Sequence, residues 1–210
     1  MLVYFCWLCS YSRCIICYYF SSKESSMNKI PLKYSGLTQL VDSSNLYLII
    51  LENMEKNRHI AIVCNEDVEH ELSMRLAGKV NTTNWLPEVL CTLNPMMSYE
   101  HYEVLINGIV DGEYKVYLIS KDDLSYTSIR ASDAVLLALV AKLEIYIEEK
   151  LFNQQSCAIN INKERVALPI NALNSDMLNS ALKRAIALED YELASLIRDE
   201  LNKRTSKDKA

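Results

Sequence analysis

Two runs of alternating apolar and polar residues, 102–110 and 114–120, stand on either side of Asp111-Gly112. No other feature restricts the fold so tightly. An Asp-Gly pair supplies the positive φ angles of a tight turn, so the two runs pair as a hairpin. A lone hairpin is not stable in water, and the rest of the chain must supply more strands and a packing layer. Upstream, Ile30, Leu32 and Tyr34 alternate and mark a strand over 30–40. The continuous apolar run 46–51 reads as a strand buried on both faces. Residues 59–64 read as its hairpin partner, across polar turn residues at 53–57.

Asn65-Glu66-Asp67 opens a helix, with Asn65 as N-cap and two acids suited to the helix dipole. Val68, Leu72, Leu76 and Ala77 form its expected buried stripe, and Gly78 stops it. A short helix is expected over 87–93, ending before Pro95. A strand at 126–130 leads into a helix at 132–142, where Ala134, Leu137, Ala138 and Ala141 recur at helical spacing. A strand at 143–147 and one helical turn at 148–152 follow. The order is not a regular βαβ alternation. The fold class is therefore α+β, a mixed β-sheet with helices packed on one side of it.

Loop-like residues run from 153 to 174, and a second unit follows. Residues 175–204 read as two helices with only Glu189 and Asp190 between them, which forces an antiparallel hairpin. Leu178, Ala181, Leu182, Ala185 and Leu188 line the first helix, and Tyr191, Ala194, Leu196, Ile197 and Leu201 the second. Asp190 is placed to cap the second helix, and Ala185 and Ala194 let the backbones approach. Some thirty residues bury too little apolar surface to stand alone, so another surface must cover them. The chain thus divides into an N-terminal extension (1–26), an α+β domain (27–155), a linker (156–174), a helical hairpin (175–205) and a tail (206–210).

The extension carries four of the seven cysteines, as C-x2-C-x4-C-x2-C at Cys6, Cys9, Cys14 and Cys17. Its central gap is short for two zinc knuckles, and Trp7, Leu8, Ile15 and Ile16 are not turn formers. Residues 2–20 are apolar, but Arg13 sits mid-run, with no basic lead and no small-residue cleavage site. Met27 is taken as the expected start of the protein proper. A membrane anchor ranks second for this segment and a metal site third. Cys64, Cys91 and Cys157 with no export signal fit a reducing cytoplasm, and no membrane association is expected.

The formal charge is −5, and residues 27–155 hold eleven Lys and Arg against eighteen Asp and Glu. That excludes a protein whose whole body attracts nucleic acid. Any basic surface must be local, around Lys183, Arg184, Lys203, Arg204, Lys207 and Lys209. The four glycines are isolated, so there is no phosphate-cradling loop and a small-ligand sensor ranks last. Two clusters carry candidate chemistry. Arg130, Ser132 and Asp133 sit where a strand turns into a helix. Arg130 suits a phosphate there, and Asp133 suits a metal or a positioned water. Helix capping accounts equally for Ser132 as N-cap and Asp133 as a first-turn acid, and only partly for Arg130. Glu66, Asp67 and His70 share one helical face and could meet a divalent ion, or could simply be a solvated acidic face.

Within 185–201, Asp190-Tyr191 followed by Ala194 and Ile197-Arg198-Asp199 closely resembles the UVR motif, the helical hairpin of the excision-repair proteins UvrB and UvrC. The resemblance implies protein–protein association through Tyr191, Ala194, Ile197, Arg198 and Asp199, with a UVR-type partner or a second copy. The stretch Ile129-Arg130-Ala131-Ser132-Asp133-Ala134, followed by Ile145-Tyr146-Ile147, is similar to the bifunctional nuclease domain family, whose members show Arg-Pro-Ser-Asp-Ala and then Pro-Ile-Tyr. The similarity extends loosely over residues 28–155, and a UVR motif behind this domain is a familiar bacterial arrangement. It implies metal-assisted phosphodiester hydrolysis of DNA or RNA, with Mg or Mn, and with Arg130, Ser132 and Asp133 catalytic; a homo-oligomer is expected. The alternative is a catalytically inactive oligomeric adaptor that recruits a partner through the hairpin. The chain departs from the family pattern in three places. Val68-Glu69-His70 stands for a Glu-Ala-Gln-like segment, Thr83-Asn84-Trp85-Leu86 for Thr-His-Asp-Leu, and Ser128 for an acid two residues before the Arg.

Overall fold

The computed structural model describes residues 28–40, 45–78, 80–158 and 169–207. The N-terminal cysteine cluster and Lys209 lie outside them. Asp111 and Gly112 take φ values of 53° and 84° and join β4 (Tyr102–Val110) to β5 (Glu113–Ser120), the hairpin that the sequence requires. The remaining strands are β1 (Lys29–Gln39), β2 (Leu46–Asn53), β3 (Arg58–Asn65), β6 (Tyr126–Ile129), β7 (Glu144–Glu148) and β8 (Cys157–Ala158). The helices are α1 (Glu66–Ala77), α2 (Leu86–Leu93), α3 (Ala131–Ala141), α4 (Glu149–Gln155), α5 (Ser175–Ala187) and α6 (Tyr191–Lys207).

Among the described residues the strands form one sheet in the order β6-β5-β4-β7-β1-β2-β3-β8. Every neighbouring pair is antiparallel except β4 and β7. That parallel pair follows from the chain path, because β7 is reached only after α3 has crossed over the sheet. The fold is thus α+β with a mixed sheet.

The sheet bends around α3. Residues 62–65 of β3 and Glu113 and Tyr114 of β5 line one cavity, although four strands separate β3 from β5 in the sheet. Helix α3 touches β3, β4, β5, β7, α1 and α2. Its buried residues are therefore Ala134, Val135, Leu136, Leu137 and Ala138 in unbroken succession, and not only a stripe at helical spacing. A helix that is apolar all round belongs inside. Ile49, Leu51, Ile60, Ile62, Val104, Ile106, Val116 and Ile147 complete the core at 2% exposure or less. Each such side chain contributes about 1.5–3 kcal/mol of burial free energy.

Several local expectations need correction. Leu76 is 59% exposed, so α1 buries only Val68 and Leu72. Strand β2 is sealed at Leu48, Ile49 and Leu51 but only partly covered at Tyr47 and Ile50. The stretch after 152 is not all loop: α4 continues to Gln155, β8 adds to the sheet edge beside β3, and a 3-10 turn forms at Ile170–Ala172.

Helices α5 and α6 form the antiparallel pair, with Leu178, Ala185, Ala194 and Ile197 buried and the Asp190 carboxylate capping α6 at the Leu193 N–H, 3.0 Å away. Leu188, Tyr191 and Leu196 are exposed. Arg204, itself buried, donates to the carbonyls of Leu173 (2.7 Å) and Asn171 (3.3 Å) and to Glu200 (3.0 Å). That grip ties the segment before α5 to α6, and the Leu173 carbonyl of that segment packs against the β4–β5 turn. A Cβ added at Gly112 would lie 2.2 Å from the Leu173 carbonyl oxygen. Among the described residues no helix is long and apolar enough to cross a membrane.

Candidate functional site

Helix α3 is capped two residues earlier than its sequence suggests. Arg130 occupies the N-cap position in extended conformation and makes no side-chain cap bond. Ser132 lies inside the first turn and is not the N-cap. Asp133 is the first-turn acid. The Arg130 guanidinium reaches over that turn and grips both carboxylate oxygens of Asp133, at 2.7 Å from Nε and 2.9 Å from Nη2. These hydrogen bonds and the Asp133 charge raise the Arg130 pKa further. The pair is not sealed in, since the two side chains are 71% and 38% exposed. An exposed ion pair is worth about 1 kcal/mol or less. It is therefore a weak reason to keep both charges at this place.

Beside it lies a cavity of about 370 Å³. Arg130, Ala131 and Ser132 form one wall, the ends of β2 and β3 (Leu46, residues 62–65) a second, and Gly112, Glu113 and Tyr114 a third. Ala172, Asn174 and Met177, at the start of the C-terminal unit, supply the fourth. The lining is apolar at Leu46, Ile62, Ala172 and Met177, and polar at Asn65, Glu113, Arg130, Ser132 and Asn174. Asn65 and Asn174 are both N-caps, accepting from the Val68 and Met177 amides at 3.3 and 2.9 Å. Burial pushes the Cys64 thiol up to about 11, with Glu69 adding to the rise, and raises the Tyr114 hydroxyl too. The Tyr114 hydroxyl is buried without a hydrogen-bond partner.

The candidate residues fare differently. Arg130 and Ser132 line the cavity, and Asp133 stands behind them on Arg130. Glu66, Asp67 and His70 are exposed on α1 and are not gathered with Asp133. Among the described residues no three of His, Cys, Asp and Glu are placed to share an ion. With both Asp133 oxygens already on Arg130, this donor set does not fit a preformed Mg or Mn cage. Of the proposed partner-binding residues, Ala194 and Ile197 are spent in the α5–α6 seam, while Tyr191, Arg198 and Asp199 face solvent. Glu113 and Asn174 were missed by sequence reasoning. Only the bend of the sheet and the seating of Leu173 on Gly112 bring them to Arg130, and no local pattern carries either.

Fold and site define an α+β domain with a cleft at the start of an enclosed helix, an arginine–aspartate pair standing at its rim. The model of the bifunctional nuclease domain matches residues 49–160, more than half of the chain, and the chain belongs to that family. The matched span holds Arg130, Ser132 and Asp133 and, but for Leu46, three of the four cavity walls, and leaves out Ala172, Asn174 and Met177. It also begins after β1, which the sheet nevertheless places between β7 and β2. No curated protein matches the chain.

Proposed function

We propose that the protein is a nuclease that binds a phosphodiester of DNA or RNA at the mouth of this cleft and hydrolyses it. The observation that carries the reading is the solvent-facing Arg130–Asp133 fork at the cavity rim. Because the pair is weak in water, an arriving phosphate competes for Arg130 at little cost, and arginine binds phosphate bidentately. The exchange frees the Asp133 carboxylate beside the reacting phosphorus. There it accepts a proton from the attacking water as the new P–O bond forms and the opposite ester P–O bond breaks, the departing sugar oxygen taking a proton from solvent, while Arg130 and the first-turn amides of α3 hold the charge that develops on the phosphate. Mg or Mn enters as a variable of the assay, and no step is assigned to it. The test uses the full chain on labelled single- and double-stranded DNA and RNA, with Mg, Mn or a chelator. Cleavage is expected, and Asp133→Ala should slow it by roughly a hundredfold or more, the worth of a general base. Cleavage untouched by that substitution would place the chemistry elsewhere.

A second reading rests on a separate observation. Ile186, Leu188, Tyr191, Leu193 and Leu196 stand exposed around the α5–α6 turn, next to Glu189, Asp190 and Glu192. An apolar knob with an acidic rim suits a protein partner with an apolar socket and basic edges, as expected for a UVR-type adaptor. Absence of cleavage under every condition, with a purified UVR-type hairpin partner binding the native chain but not Leu188→Glu, would favour the adaptor.

A further inference from the structure

Helix α2 is an apolar helix that the fold leaves half uncovered. None of its eight residues is buried, and only Cys91 packs inward on the core. Leu86, Leu90 and Leu93 are 80%, 40% and 78% exposed, and Met96 and Tyr99, just after the helix, are 50% and 53% exposed. At about 100° per residue the three leucines fall within an arc of roughly 60°. They form one stripe, and the exposed Met96 and Tyr99 follow it in the chain.

The stripe is held still. Arg75 of α1 donates Nε and Nη2 to both oxygens of Glu88 on α2, at 2.8 and 2.7 Å, and Nη1 to Glu71 at 2.9 Å. The same guanidinium stacks over Trp85 at 4.6 Å. A face fixed in advance loses little entropy when it binds. Glu88 is the only ionisable carboxylate or cation on α2, and Arg75 already neutralises it.

We infer that this face pairs with the same face of a second copy, two α2 helices crossing antiparallel about a two-fold axis at Leu90. Three observations select a copy of this chain over another occupant. First, the spacing is its own complement. Leu86 and Leu93 lie four residues before and three after Leu90, so a two-fold at Leu90 sets Leu86 of each copy against Leu93 of the other, as an isologous interface requires. Second, the three leucines with Met96 and Tyr99 expose roughly 600 Å² of largely apolar surface between them. A homodimer interface of ~800 Å² per partner, about 65% apolar, needs roughly 500 Å². Third, two copies of an acidic chain can meet here without opposing charges. The other exposed apolar stretch, around the α5–α6 turn, would bring Glu189, Asp190 and Glu192 of each copy together.

Sedimentation equilibrium of the full chain tests this. The wild type should be a dimer at micromolar concentration. Leu93→Glu buries a carboxylate at two symmetric places and should weaken the dimer by on the order of a hundredfold or more. Leu86→Lys should do the same, with unchanged circular dichroism in both. Mixing the two variants should restore a heterodimer. At one of the two symmetric contacts the introduced lysine then faces the introduced glutamate, and at the other Leu86 still meets Leu93. Leu188→Glu on the C-terminal pair should leave the dimer intact. A monomeric wild type, a dimer that survives Leu93→Glu, or a mixture that stays monomeric would overturn the inference.

Discussion

Cys64 and Tyr114 sit in the wall of the cleft, and both are acids kept neutral by burial. Burial moves the Cys64 thiol from its ordinary value of 9.0 to about 11 and moves Tyr114 in the same direction. The sign follows directly. Both groups ionise more readily in the unfolded chain, so their contribution is intact below pH about 9 and is lost as pH climbs toward 11. Denaturant unfolding should therefore show lower stability at pH of about 10.5 than at about 8, and Cys64 should resist alkylation at the lower pH in the native protein. Equal stability and rapid labelling would contradict this. Sequence reading reached some of this scale and missed the rest. Asn65 was legible as a cap because its partner, the Val68 amide, is three residues away. Ser132 misled because its chemistry suits a cap, while α3 starts earlier, at Ala131, with Arg130 in the capping place. Enclosure of the helix by the sheet, which is not a local quantity, sets how far it extends.

Among the elements, the β4–β5 turn does two jobs. It closes a hairpin that local chemistry announces, and it receives the segment entering α5, which local chemistry does not announce. Gly112 serves both. Its φ of 84° disfavours any side chain, and an added Cβ would lie 2.2 Å from the Leu173 oxygen and 2.6 Å from its carbon, backbone atoms that cannot swing aside. Gly112→Ala should cost about 2 kcal/mol or more, from left-handed strain and overpacking together. It should also lift the wall made by Ala172, Asn174 and Met177 and so speed Cys64 alkylation in the folded protein. Gly36→Ala is the control, for nothing lies within 4 Å of an added Cβ there and its φ is ordinary. A change of less than about 1 kcal/mol is expected for it. Similar losses for the two variants in unfolding experiments would rule out the clamp. The strands were legible from alternation, but the insertion of β7 between β4 and β1 and the addition of β8 beside β3 were not. The β1–β7 pairing joins Lys29 to Glu148, far apart in the chain, and alternation says which residues face a core without saying beside which strand.

The whole molecule is acidic, and this sets how it can meet nucleic acid. With eighteen acids against eleven bases over residues 27–155, broad electrostatic capture is ruled out, so binding must rest on few contacts. In the proposed complex the charged contacts reduce to one, Arg130 at the mouth of the cleft, with the start of the C-terminal unit supplying the fourth wall. A protein of this kind binds with a shallow salt dependence, unlike one that tracks the backbone with a basic groove. The most direct measurement is a fluorescence-anisotropy titration of a labelled single-stranded oligonucleotide with wild type and Arg130→Ala, repeated from about 50 to about 200 mM salt. The substitution is expected to abolish most of the binding and to lower the slope of log K against log salt by about 0.7, the worth of one phosphate contact on a single strand. The same affinity and the same slope for both proteins would mean that Arg130 holds no phosphate.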